Sequence, residues 1–574
     1  MVYTQKCKHA RQIWSQHDAL QLGMDWDEED LEKPQILIDD VFGESHPGSF
    51  HLSKLAKETS IGVYEKGGRP ANFHVTDICD GWAQGHDGMN YILASREIIA
   101  DMVELHASCS PWDGLILISS CDKAVPAHLK AAARLNLPTI FIPGGSMRPG
   151  PDMSTSVKGG EVSLREEEND ISKQEIMNYK LTGCPSCGSC QFMGTASTMQ
   201  CMAEALGLAL PAAALSPATM RDITAMSKLA GRQIMNLIEK NIRARDILTP
   251  EAFKNAIIVH AAIGGSTNAL IHLPAIAHEM GYKLNPAIFD ETNHKIPHIC
   301  NIAPSGKYPT ETLWFAGGIP MVQWVLRDYL DLNVMTVTGK TLGENLGKLH
   351  KEGFFDRIYG YLRNYGLKRE DIIKPINETK TYGSVAVLKG NLAPEGAVIK
   401  YSAVSKDMMH HMGPAKVFDS EEDCHEAIVK GKIEPGMVLF IRYEGPRGSG
   451  MPEMLMTTEA MMCDPKISGS TVLITDGRYS GATRGPCVGH VSPEAEVGGP
   501  IALVQDNDLI ELDIDSRTLR IIGIKGKECS AKEIDEILLK RKANWKPPKH
   551  HERYGVFKRY TEHAASAMSG AYME

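Results

Sequence analysis

A chain of 574 residues exceeds one ordinary domain, and its 43% hydrophobic and 23% charged residues are those of a soluble globular protein of about two to four domains with large cores. The formal charge of -10 argues against a nucleic-acid partner, and no run approaches the ~18 apolar residues of a membrane span. Thirteen cysteines, an odd number, behind a start broken by Lys6, Lys8 and Arg11, point to a reducing, cytoplasmic setting over secretion.

Residues 1–35 are polar with a helical pattern and end in the acidic run from Asp25 to Glu32. Gln35 to Asp39 reads as a short buried strand, followed by a polar loop to Phe50 and a helix over about His51–Lys66. A second strand is expected over Phe73–Asp77, ending at Ile78, Cys79, Asp80 and Gly81. Open α/β sheets place ligands just past the C-terminal ends of their strands, so this stretch is a site candidate. Ser95 to Ala107 is an amphipathic helix. Leu115–Ser119 and Pro138–Ile142 read as strands around a helix over Pro126–Leu135, a βαβ unit. Cys121, Asp122 and Lys123 stand at its first crossing, where a thiol, a carboxylate and an amine in a row form a second candidate. A buried cysteine beside a surface ion pair is the plainer alternative.

Lys158 to Tyr179 is charged and helical in pattern. The most chemically committed stretch follows it: Cys184, Cys187 and Cys190 in steps of three, bracketed by Gly183, Pro185 and Gly188. Three thiolates on a short loop suit a soft metal or an iron–sulfur cluster. Structural zinc wants separated cysteine pairs, and a ferredoxin run would add a fourth cysteine where Gln191 to Gly194 stand. The loop therefore offers at most three ligands. A helix is expected over Thr195–Leu206. Further on, Gly264, Gly265, Ser266 and Thr267 precede a helix and fit either an anion site or close helix packing.

After about residue 375 the texture turns to short β-rich runs between Gly/Pro turns, at 384–388, 398–401, 438–442 and 471–475. A second, β-dominated domain is expected, with a boundary within 368–382. Two of its loops carry candidate site groups, Glu444–Glu453 and Asp476–Gly485, although surface turns have similar composition. Lys540 to Glu574 reads as an arm packed on the body.

Cys121 to Lys123, Cys184 to Met199, Ala262 to Asn268, Asp476 to Gly481 and His490 to Ala495 occur in this order, and together they resemble the dihydroxy-acid dehydratase / phosphogluconate dehydratase family over nearly the whole chain. The resemblance implies an α/β fold. An N-terminal α/β/α domain with a mostly parallel sheet would span 1–375, and a C-terminal β-barrel-like domain 376–574. It implies a hydro-lyase that takes water from a 2,3-dihydroxy carboxylate to give a 2-oxo-3-deoxy acid, in a homodimer or homotetramer. The implied cofactors are an iron–sulfur cluster and Mg²⁺. Carried onto this chain, Cys121 and Cys190 are expected cluster ligands, and Asp80, Asp122, Glu453 and a carbamylated Lys123 are expected Mg²⁺ ligands. Ser480 is the expected base. Many relatives carry a further cluster cysteine where this chain has Gly48, so the third thiolate must come from elsewhere. Cys187 is chosen over Cys184, and [4Fe-4S] over [2Fe-2S]. The polar, acidic stretch from Asp39 to His46 inclines the substrate to a sugar acid, with 2,3-dihydroxyisovalerate of branched-chain amino-acid synthesis as the alternative. A non-catalytic iron–sulfur protein would keep the cysteines without needing the carboxylates.

Overall fold

The computed structural model of the protein describes residues 6–167, 170–379, 381–549 and 553–574. Positions 1–5 and 168–169 of the two expected helical stretches, and 550–552 of the expected arm, lie outside the described residues.

β1 (Gln35–Asp40), β2 (Arg69–His74), β3 (Gly114–Ser119) and β4 (Thr139–Pro143) form a parallel sheet in the order β2-β1-β3-β4. β1, β3 and β4 are buried at every position, because crossover helices cover a parallel sheet and its strands become continuous apolar runs. The crossovers are the helices Leu52–Glu65, Ile92–Cys109 and Ala124–Leu135. β2 lies earlier than the expected Phe73–Asp77. Its register starts where Arg69 N donates to Pro34 O at 2.8 Å, and the strand ends at His74, which is tied to Asp40. The helix Arg221–Lys240 presses on Leu52–Glu65 so closely that a Cβ on Gly62 would lie 2.0 Å from Lys228 O.

The β-rich half holds a nine-stranded sheet: β5 (Ala386–Leu388), β6 (Gly396–Ile399), β7 (His410–Phe418), β8 (Val438–Ile441), β9 (Val472–Thr475), β10 (Cys487–Ser492), β11 (Leu509–Asp513), β12 (Thr518–Ile524) and β13 (Lys527–Glu528). Its order is β13-β12-β11-β7-β8-β9-β10-β6-β5, parallel from β7 to β10 and antiparallel at both flanks. The sheet curls back on itself. Just past β5, Lys389 N donates to Arg517 O and Leu519 N to Lys389 O, both at 2.9 Å, so one edge meets β12. Alternation along the strands decides the two faces. Val438, Phe440, Val472 and Ile474 fill the inside of the curl, while Leu439, Ile441 and Leu473 pack outward with Cys424, Ile428 and Met461 of two helices.

The chain's last helix, Gly555–His563, returns to the first half. Tyr560, Ala564 and Ala571 pack with Leu93, Ala94 and Ile271. Arg96, wholly buried, donates to Gly570 O and Ala571 O at 2.9 Å each. Among the described residues, no helix is long and apolar enough to cross a membrane.

Candidate active site

The C-terminal ends of β2 and β3 deliver two Cys-Asp pairs to one place. Cys79 and Asp80 follow β2 and open the short helix Asp80–Ala83, and Cys121 and Asp122 follow β3 ahead of the helix Ala124–Leu135. From the curled sheet comes Glu453. Ligand oxygens of Asp80, Asp122 and Glu453 all lie within 4.8 Å of one another. Asp80 and Glu453 are buried, and Asp122 is half-buried.

Two cations lie among these acids. Lys123 Nζ donates to Asp80 Oδ2 at 2.8 Å and lies 3.7 Å from Asp122 Oδ2. Arg478 donates to Asp80 Oδ2 at 3.1 Å, makes a close ion pair with Glu453, and donates through Nε to Met451 O at 2.7 Å. Both cations are fully buried. Burial pushes the Asp80 carboxyl upward, but the charges of Lys123 and Arg478 outweigh it and hold the group below its ordinary range. Asp122 has weaker cation contact; burial, then the Asp80 charge, push it up to about 8. Asp80 Oδ1 is buried without a hydrogen-bond partner. Three hard oxygen donors with one orphaned lone-pair site fit a divalent cation such as Mg²⁺.

Glu453 is held by a residue that spacing alone did not single out. Asn268 Nδ2 donates to Glu453 Oε1 at 2.9 Å and to Thr195 Oγ1 at 2.8 Å. The Gly-Gly-Ser-Thr turn before it serves packing. Gly264 ends the helix Pro250–Ile263 at φ +68, and a Cβ on Gly265 would lie 2.3 Å from the His260 ring. Two of its backbone donors are engaged: Ser266 N by Thr198 Oγ1 at 3.0 Å and Gly265 N by His260 O at 3.1 Å.

The cysteine loop lies across the end of β4. Met147 N donates to Ser189 O at 2.8 Å and Ser189 N to Gly145 O at 3.0 Å. Gln200 ties the loop to the β3 end, donating to Ser189 Oγ at 3.0 Å and Ser120 O at 3.1 Å. This arrangement turns Cys190 inward. Burial pushes its thiol well up, and the neighbouring charge acting on it most strongly is that of Cys79. Cys187 turns elsewhere. It lines an outer groove with His51, Lys54, Met220 and Arg221, and the charge acting on it is that of Lys54. Cys187 is not in the group of ligand atoms that holds Cys121. Cys184 is exposed. The thiol grouped with Cys121 is Cys79, together with His46: their ligand atoms all lie within 4.8 Å of one another. A hydrogen bond between the two thiols lowers Cys79 and raises Cys121. Of the other nearby histidines, His51 bonds Gly144 O at 2.7 Å, His74 bonds Asp40 at 2.6 Å, and the exposed His86 accepts from Gly88 N at 3.0 Å.

Ser480 is half-buried in the loop after β9, two residues beyond Arg478. Ala482 N donates to Ser480 Oγ at 3.3 Å. A Cβ on Gly481 would lie 2.4 Å from Gly194 Cα, so the serine loop touches the start of the helix that follows Cys190. Arg484 is turned away and lies 3.7 Å from Glu459.

The acids of the Asp39–His46 stretch divide between the fold and the surface. Asp40 is bound to His74 and to Phe42 N at 2.8 Å, Asp39 lies 3.2 Å from His106 Nδ1, and Glu44 is exposed.

An α/β body and a curled sheet together build a carboxylate cluster beside buried thiols. The chain belongs to the dihydroxy-acid/6-phosphogluconate dehydratase family: residues 33–345 match its N-terminal part and residues 371–571 its C-terminal part. It is 44% identical over 572 residues to a dihydroxy-acid dehydratase of Halothermothrix orenii, covering 97% of this chain and 98% of the relative. It is 43% identical over 563 residues to one of Caldicellulosiruptor bescii, covering 96% of each chain, and 42% identical over 570 residues to one of Moorella thermoacetica, covering 97% and 98%. The protein is a dehydratase acting on dihydroxy acids.

Proposed function

We propose that the protein removes water from a branched-chain 2,3-dihydroxy carboxylate of the 2,3-dihydroxyisovalerate type, giving the 2-oxo acid. The relatives' shared name supports this substrate over the sugar acid toward which the sequence inclined. The pairing of Asp40 with His74 and of Asp39 with His106 ties two of the acids behind the sugar-acid reading to the fold. The observation that carries the reaction type is the convergence of Asp80, Asp122 and Glu453.

In this reading those three carboxylates hold Mg²⁺, with Lys123 joining them as a carbamate. An ammonium 2.8 Å from Asp80 would repel a dication that the same oxygen must bind. A [4Fe-4S] cluster, in preference to [2Fe-2S], is held by thiolates that include Cys121 and Cys190. When bound, the two cofactors supply Lewis-acid stabilisation at the substrate carboxylate and C2 hydroxyl and an acceptor for the departing C3 hydroxyl.

The chain's own part is positioning and proton transfer. Ser480 Oγ takes the C2 proton. The N–H of Ala482, 3.3 Å away, favours the oxygen in its deprotonated form. Arg478 holds the serine loop on the carboxylates by bonding Asp80 and Glu453 from two residues away. The enol formed on loss of water tautomerises to the 2-oxo acid. The division at residue 375 into a cluster- and metal-binding part and a part carrying Ser480, and a homodimeric or homotetrameric assembly, belong to the same proposal.

The test is an anaerobic assay of 2-oxo acid formation from 2,3-dihydroxyisovalerate and a panel of aldonates, with and without Mg²⁺. This reading expects the highest kcat/KM for dihydroxyisovalerate. An aldonate turned over better would return the substrate to the sugar acids.

A further inference from the structure

The family resemblance implies a cluster cysteine where this chain has Gly48, and the fold shows what such a side chain would meet. A Cβ built on Gly48 would lie 3.1 Å from Cys121 Sγ and 3.0 Å from His46 Nδ1. Position 48 thus faces the Cys121 thiol, and here it brings no ligand. Cys79 reaches the same thiol from the end of β2, with ligand atoms of Cys79, Cys121 and His46 within 4.8 Å of one another. Both thiols are free.

The placement of Cys79 is built into the backbone. Its carbonyl accepts from Trp82 N at 3.1 Å and Ala83 N at 3.2 Å, which fixes it as the residue that opens the helix Asp80–Ala83. The next residue, Asp80, joins the carboxylate group. The β3 end repeats this plan, with Cys121 in the thiol group and Asp122 in the carboxylate group. Adjacent residues on each strand end therefore divide between a soft site and a hard site, as two neighbouring centres of different chemistry require.

We propose that Cys79 supplies the third thiolate of the iron–sulfur cluster, in place of the cysteine missing at position 48, so that Cys79, Cys121 and Cys190 hold the cluster and Cys187 does not. The inference rests on the iron–sulfur reading given under Proposed function. His46 flanks the thiols: its Nε2 is engaged with Ser49 Oγ at 3.2 Å and lies 3.6 Å from Asp77, while its Nδ1 is buried without a hydrogen-bond partner.

The test is anaerobic purification of full-length wild type, Cys79→Ala, Cys79→Ser, Cys187→Ala, His46→Ala and the double variant Gly48→Cys/Cys79→Ala. Iron and acid-labile sulfide per chain, the visible absorption spectrum and the EPR of the reduced protein are the readouts, and circular dichroism confirms the fold. Cys79→Ala is expected to lose about tenfold of its iron and sulfide. Cys79→Ser is expected to show a shifted spectrum, which a merely structural role would not produce, and Cys187→Ala to match wild type. Restoring a thiol at position 48 is expected to restore cluster content. Folded Cys79→Ala with wild-type iron and an unshifted spectrum would overturn the inference, as would loss confined to Cys187→Ala or His46→Ala. Wild type without iron or sulfide would instead overturn the iron–sulfur reading itself.

Discussion

Lys123 Nζ sits 2.8 Å from Asp80 Oδ2, deep inside the protein, on the residue directly after Asp122. In this form Lys123 and Arg478 together balance the buried carboxylates of Asp80 and Glu453, which unpaired and away from water would cost several kcal/mol per ion. Lys123→Ala removes that balance and one side of the site. Turnover is expected to fall by about 10²–10³-fold, and the Mg²⁺ concentration for half-maximal activity to change with it. Steady-state rates across an Mg²⁺ series check this.

Asn268 positions Glu453 from the first half of the chain while Arg478 grips it from the second. Asn268→Ala leaves the ion pair but frees the carboxylate to rotate. Affinity for the divalent cation is expected to drop by about 10–100-fold, with the substrate KM at saturating Mg²⁺ little changed. Calorimetric Mg²⁺ titration and kinetics at high Mg²⁺ separate the two.

Ser480→Ala deletes one hydroxyl in a loop whose shape is set by Arg478 and by the Gly481–Gly194 contact, so the fold is expected to survive. Loss of a general base lowers kcat by about 10²–10⁴-fold. Full turnover in the variant would move the base elsewhere.

Asp39 of β1 gives a stability prediction independent of catalysis. Burial, then the neighbouring Asp40 charge, raise it from 3.8 to about 8. The folded protein therefore keeps a proton there that the unfolded chain has released. Its contribution to stability is fully present below about pH 4 and is lost as pH rises through about 8. Between about pH 6 and about pH 9 the Tm of wild type is expected to fall more than that of Asp39→Asn, whose side chain does not titrate.

Gly62 faces Lys228 O across two packed helices. Gly62→Ala puts a carbon where 2.0 Å of space exists, so the helices must part. The gain in helix propensity, about 1 kcal/mol, is smaller than the overpacking cost of about 1–3 kcal/mol. Net destabilisation in urea unfolding is the expected result.

Much of this was legible in the residues. β1, β3 and β4 announce themselves as apolar runs between turns, and Cys121, Asp122 and Lys123 stand where parallel sheets keep ligands. β2 was harder, because its buried positions alternate with exposed ones and its end is set by the His74–Asp40 contact. Regular spacing drew attention to Cys187 in the cysteine loop, while the thiol grouped with Cys121 is Cys79, a single cysteine in its own segment. A signal existed, since Cys79-Asp80 and Cys121-Asp122 are the same dipeptide past two strands of one sheet. The Asn268–Glu453 bond had no such signal; it joins residues 185 apart in sequence through tertiary packing alone.

The account depends on carboxylates from both sheets closing on one cation. Mn²⁺ binding followed by EPR, with Mn²⁺ standing in for Mg²⁺, measures that directly in the full-length protein. One tight site per chain in wild type, weakened at least about tenfold in Glu453→Gln and in Asp80→Asn, is the predicted result. Equal affinity and stoichiometry in wild type and Glu453→Gln would contradict it.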